Sequence, residues 1–158
     1  MLRKLVLSVA LCSIAATATA QVPSLLVPVV PCRLHDAVLA GDTVHFFHYR
    51  GETLNCQGGG SRIVQVPTNA TSVLLAVAVV APEANGNALF WPADVLKPIP
   101  ASSLNFRSGT GGADSSLVSV RLCTEPVNEC IVDFHFESTE TARWIWDIVG
   151  YTVPLAQE

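Results

Sequence analysis

The chain has 158 residues, 50% of them hydrophobic and 14% charged, with a net charge of −4. That length suits one domain. An apolar-rich, weakly charged composition excludes a disordered chain. Ten glycines without a three-residue period exclude a collagen-like one. No basic excess is available to neutralise phosphates, so no nucleic acid is expected as a partner.

Residues 1–20 read as a secretory signal peptide. Arg3 and Lys4 form a positive start, Leu5 to Ile14 is an apolar run, and Ala18-Thr19-Ala20 is a small-residue cleavage signal, so cleavage is expected before Gln21. The apolar run is too short to span a bilayer, which needs about 20 apolar residues. Loss of Arg3 and Lys4 takes the net charge from −4 to −6, and residues 21–158 are expected to form a single domain, secreted, periplasmic or at the cell surface. No later run approaches membrane length. A transmembrane barrel would need many more strands of about ten residues.

Cys32, Cys56, Cys123 and Cys130 remain after cleavage. An even number in an exported chain predicts two disulfides, with three connectivities open. Cys123 and Cys130 flank Thr124 to Glu129, which reads as a turn between two strands. The preferred pairing is Cys123 with Cys130, leaving Cys32 with Cys56. The spacing lacks the C-x-x-C pattern of a zinc ribbon, so neither a metal nor another cofactor is expected.

No window reads as a helix. Strands are predicted near Leu25–Val30, Thr43–Tyr49, Arg62–Val66, Ser72–Val80, Ala88–Trp91, Ser103–Phe106, Ser116–Leu122, Cys130–Phe136 and Arg143–Val153. Val22 to Pro31 carries three prolines and reads as an extended edge strand. Ser72–Val80 is nearly all apolar, which predicts a central strand covered on both faces. In Leu117–Leu122, Ile131–Phe136 and Trp144–Val149, apolar residues alternate with period two, as in half-buried antiparallel strands. Between the strands, Ala40-Gly41-Asp42, Gln57 to Gly60, Asn85-Gly86-Asn87 and Gly109 to Asp114 supply turn residues. The expected fold is all-β: an antiparallel β-sandwich, Greek-key or jelly-roll-like, of eight or nine short strands.

Val29-Val30-Pro31-Cys32-Arg33-Leu34-His35-Asp36 resembles the opening of a secreted bacterial β-sandwich module with a "P-C-R-x-x-D-T-R" start. The later motifs of that module have counterparts in Val66-Pro67-Thr68-Asn69-Ala70, Pro82 with Gly86, Ser102 to Phe106, and Asp147-Ile148-Val149-Gly150-Tyr151. The resemblance runs in order over residues 28 to 153. It implies an extracytoplasmic β-sandwich and brings no catalytic activity with it. Two departures stand out: Ala37-Val38 replaces Thr-Arg, and Ala76-Val77-Ala78 replaces the polar "N-V-T".

Candidate chemistry is sparse. No G-x-S-x-G elbow is present for a nucleophilic serine. His45 and His48 are three apart, so on one strand they face opposite sides. Asp133 and His135 share one face by alternation and read as a solvated pair, or as two ligands of a metal. Arg33, Asp36 and Asp147 read as a structural polar group tying the first strand to the last, because arginine bonds a carboxylate through two parallel hydrogen bonds. Trp144 and Trp146 share a face and read either as core or as a sugar-stacking platform. The expected function is an exported, non-catalytic structural or interaction module. A carbohydrate-binding module using Trp144 and Trp146, and a small secreted hydrolase, are the alternatives. Expected partners are a surface polysaccharide, another exported protein, or a second copy joined by strand addition through Leu25–Val30.

Overall fold

The computed structural model of the chain describes residues 23–58, 61–99, 101–109, 113–123 and 130–155. The expected signal peptide and the expected turn at Thr124–Glu129 lie outside the described residues. Every regular element among them is a strand: β1 (Ser24–Leu39), β2 (His45–Phe47), β3 (Thr53–Asn55), β4 (Ile63–Gln65), β5 (Ser72–Val80), β6 (Gly86–Pro92), β7 (Leu104–Phe106), β8 (Ala113–Arg121), β9 (Phe134–Ser138) and β10 (Ala142–Pro154).

The strands form two four-stranded sheets, β1-β10-β5-β8 and β2-β9-β6-β7, and all pairs are antiparallel. The pairs β6·β7, β5·β8, β2·β9 and β1·β10 are those of one long hairpin, with its tip between β6 and β7. Rolling that hairpin adds β10·β5 and β9·β6, which gives the strand order of a jelly roll. A short β3·β4 hairpin interrupts the passage from β2 to β5.

The inward faces follow the alternation of the sequence. Val73, Leu75, Val77 and Val79 of β5 and Trp144, Trp146 and Ile148 of β10 are buried. They face Phe90, Leu104, Phe106, Phe134 and Phe136 of the second sheet within one core. Trp144 meets Phe106 and Phe136 at ring distances of 5.5 and 4.9 Å, and Trp146 meets Phe47, Phe90 and Phe136 at 5.0, 5.7 and 5.4 Å. Both tryptophans are 0% exposed, so neither offers a ring face to a sugar. The stacking platform read from Trp144 and Trp146 is therefore wrong. Their shared strand face is the core face, where large aromatic surface is most stabilising.

Two further expectations need correction. The outward side chains of β5 (Ser72, Leu74, Ala76, Ala78 and Val80) are only half-buried, so the strand is covered fully on one face alone. The first strand does not stop at Val30. It runs through Pro31 to Leu39, with register shifts between Pro28 and Cys32 and between Arg33 and His35. Bulges let an edge strand carry prolines without breaking its partner's ladder.

The disulfides pair Cys32 with Cys56 and Cys123 with Cys130. The second does not clasp a two-stranded hairpin, because β8 and β9 belong to different sheets; it closes a crossover between layers. The first pins the β3–β4 hairpin against the outer edge of β1. There Gln57 N donates to Arg33 O at 2.7 Å and Gln57 Nε2 to Leu34 O at 3.2 Å. Arg62 Nη2 donates to Val30 O and Pro31 O at 3.4 and 2.9 Å. These bonds occupy the carbonyls of Val30, Pro31, Arg33 and Leu34, which an added strand would compete for.

Candidate functional site

The outer face of the first sheet can be laid out from its register. One row across β8, β5, β10 and β1 is Leu117, Ala76, Asp147 and Arg33. The next is Ser115, Ala78, Ile145 and Asp36, and the third is Ala113, Val80, Arg143 and Val38. The β8–β5 half is small and mostly apolar, whereas the β10–β1 half carries the charge.

The charged half is organised by two arginine–carboxylate forks. Arg33 donates from Nε to Asp147 Oδ1 at 2.8 Å and from Nη2 to Oδ2 at 3.4 Å. Arg143 donates from Nε to Asp36 Oδ1 at 2.7 Å and from Nη2 to Oδ2 at 3.0 Å. Arg33 Nη1 lies 3.9 Å from Asp36 Oδ2, linking the two forks. The parallel bonds fix the planes of both guanidinium groups. They also hold these groups ionised. The hydrogen bond to Asp147 raises Arg33 above its usual range, the bond to Asp36 raises Arg143, and the bond from Arg143 lowers Asp36.

Beside these forks opens a cleft of about 720 Å³, bounded on its far side by Gln57, Gly58 and Arg62 of the β3–β4 loop. A second depression of about 400 Å³ lies over Ala76, Ala78, Ser115, Leu117 and Ile145. Arg33 and Asp147 line both, so the two adjoin at the Arg33–Asp147 fork as two basins of one surface groove. Volumes of this size fall in the range of ligand sites, roughly 300–1,000 Å³. The floor of the second depression is low because Ala76 and Ala78 stand between the longer Leu117 and Ile145.

The residues read as a possible metal pair separate. His135 lies on the outer face of the second sheet, edge-on to Phe46 and Trp91 at 5.1 Å each, and burial lowers its pKa. Asp133 precedes β9 and is 0% exposed. Its Oδ2 accepts from the backbone N–H of Tyr49 at 2.6 Å and of Arg50 at 2.7 Å, and lies 3.1 Å from His48 Nδ1. Arg50 Nε approaches Oδ1 at 3.4 Å. The backbone of Asp133 bonds Phe47 O, Ala93 N and Cys123 N. One residue thus joins three crossovers at one end of the sandwich, and the solvated pair read from alternation is corrected. No group of three or more His, Cys, Asp or Glu able to hold a metal occurs among the described residues.

Two other histidines are placed by packing. His35 stacks on Trp146 at 4.0 Å, and burial, reinforced by nearby His45, lowers its pKa. His45 Nε2 lies 3.3 Å from Ala40 O. Tyr49 is buried with its hydroxyl accepting from Trp146 Nε1 at 2.9 Å, and burial pushes its phenol pKa up.

Arg143, Arg62 and Gln57 were not singled out in the sequence. Arg143 carried a weak signal, since it stands just before the alternating segment Trp144–Val149, in phase with its outward residues. Arg62 and Gln57 carried none, because their place at β1 depends on a disulfide between distant segments. No protein-family model, no curated protein and no solved structure matches the chain.

Proposed function

We propose that the chain is an exported, non-catalytic binding module that works outside the cytoplasm and presents the groove at Arg33, Asp147 and Arg143 to a polysaccharide or another exported protein. The observation that carries this reading is the locked charge of the groove. Arg33, Arg143 and Asp36, held in paired forks, stay ionised around neutrality. They offer fixed charge and directional hydrogen bonds, with each carboxylate committed to an arginine. The signal-like residues 1–20, the two disulfides and the ordered motifs of residues 28 to 153 support export to an oxidising compartment. Assembly by strand addition is restricted to the start of β1, where Leu25 and Leu26 are about half exposed.

Export and binding are tested together. The chain is produced with its own leader in an exporting bacterium, and the mature form is screened against immobilised glycans and exported proteins. Expected are a product beginning at Gln21 without free thiols, and capture that Arg62→Glu weakens while the circular dichroism spectrum stays native. A cytoplasmic product with reduced cysteines would overturn the export reading. Capture unaffected by Arg62→Glu would overturn the assignment to this groove.

A further inference from the structure

We infer that the groove on the first sheet is a site for an acidic polysaccharide, with sugar carboxylates at the arginines and the apolar faces of the rings over the alanine floor. This rests on the binding-module reading above and names its ligand class.

Charge comes first. Of nine Lys and Arg in the chain, Arg3 and Lys4 lie in the leader, and three of the other seven line this cleft of an acidic protein. Arg33 and Arg143 each face a carboxylate. Arg62 differs: its described hydrogen bonds go to backbone carbonyls, so no carboxylate among the described residues compensates its charge. Three cations against Asp36 and Asp147 leave the cleft net positive. Each guanidinium has five N–H donors, and the described bonds leave some of them unused.

The rest of the lining selects among anions. A nucleic-acid chain offers few hydroxyl donors to pair with Asp36 and Asp147. A sugar polymer presents hydroxyl donors, which those carboxylates, Gln57 and Ser115 can bond. A small inorganic anion would use only the charged end and leave the Ala76–Ala78 floor empty. A pyranose ring has a weakly polar face, and a low floor between Leu117 and Ile145 gives it a flat apolar seat. Both basins are open to solvent and adjoin at Arg33 and Asp147, so a polymer has room to lie over the two in succession.

The test uses the mature, disulfide-bonded protein and three probes in calorimetric titrations: polygalacturonate, neutral dextran and dextran sulfate. Two variants accompany the native chain. Arg62→Glu reverses the uncompensated charge. Ala78→Leu fills the floor from the outward side of β5 and leaves the core untouched. Expected are binding of polygalacturonate in preference to the other two polymers, a loss of about tenfold or more in each variant, and native circular dichroism spectra for both. Equal binding of dextran sulfate would reduce the site to unselective charge and overturn the proposal. Binding of neutral dextran that Ala78→Leu abolishes and Arg62→Glu spares would overturn the acidic ligand class, yet leave the binding module standing. Absence of polygalacturonate binding would also overturn this proposal, and the wider panel above would then decide the module's function separately.

Discussion

Replacing Asp133 with alanine tests the account of how the sandwich is closed. Asp133 is 0% exposed, and its carboxylate accepts the backbone N–H groups of Tyr49 and Arg50 at 2.6 and 2.7 Å. Alanine would leave both donors without that acceptor. It would also strand the Arg50 guanidinium, whose side chain is only 10% exposed and whose Nε lies 3.4 Å from Oδ1. Removing one partner from a buried charged pair costs about 3–5 kcal/mol, because the other is left uncompensated. For a domain of this size that corresponds to a fall in melting temperature of about 10–15 °C. The assay is thermal unfolding by circular dichroism under oxidising conditions, with urea titration giving the free energy. Asp133→Asn keeps the shape and one acceptor oxygen, so it should lose clearly less than alanine. An Asp133→Ala protein within about 1 kcal/mol of the native chain would refute the reasoning, since a solvated carboxylate behaves that way.

Three further outcomes follow from the same structure. Replacing Cys32 and Cys56 with serine, which opens a link of sequence separation 24, should cost about 3 kcal/mol in urea unfolding and weaken groove binding; undiminished binding would detach the β3–β4 hairpin from the site. Trp144→Ala and Trp146→Ala should each cost about 3–5 kcal/mol, and native tryptophan fluorescence should resist quenching by acrylamide; ready quenching would place these rings at the surface. His35 has a folded pKa below its unfolded value of about 6.5, so the unfolded chain takes up the proton first and stability falls as pH drops through that value. His35→Phe should flatten the slope of unfolding free energy between about pH 7 and 5, and an unchanged slope would remove His35 as a source.

Local pattern made the sandwich legible but not the site. Period-two alternation in Trp144–Val149 placed Trp144, Trp146 and Ile148 together, and the buried face of β10 carries all three. The same alternation failed at Asp133, which stands just before β9 begins, where strand periodicity no longer governs direction. Turn chemistry located Ala40-Gly41-Asp42. There Asp42 has φ 52°, while a side chain on Gly41 would sit 2.7 Å from the backbone of Glu140 and Thr141. The cysteine count predicted two disulfides, and the short spacing of Cys123 and Cys130 led to the right pairing although the two do not clasp a hairpin. The groove needed information absent from any local window. Arg33 meets Asp147 across 114 residues and Arg143 meets Asp36 across 107, in a register shifted by bulges in β1. The arginine at 62 arrives on a hairpin that the Cys32–Cys56 disulfide and the Gln57 hydrogen bonds hold against β1.

The central claim is that the outer face of the β1-β10-β5-β8 sheet is the binding surface. The most direct measurement is amide chemical-shift mapping of the isotope-labelled mature protein during titration with trigalacturonate. The account predicts shifts confined to Arg33, Asp36, Arg62, Ala76, Ala78, Ser115, Leu117, Ile145, Asp147 and their neighbours. Shifts centred instead on the outer face of the other sheet, around Phe46, Ile131 and His135, would contradict it.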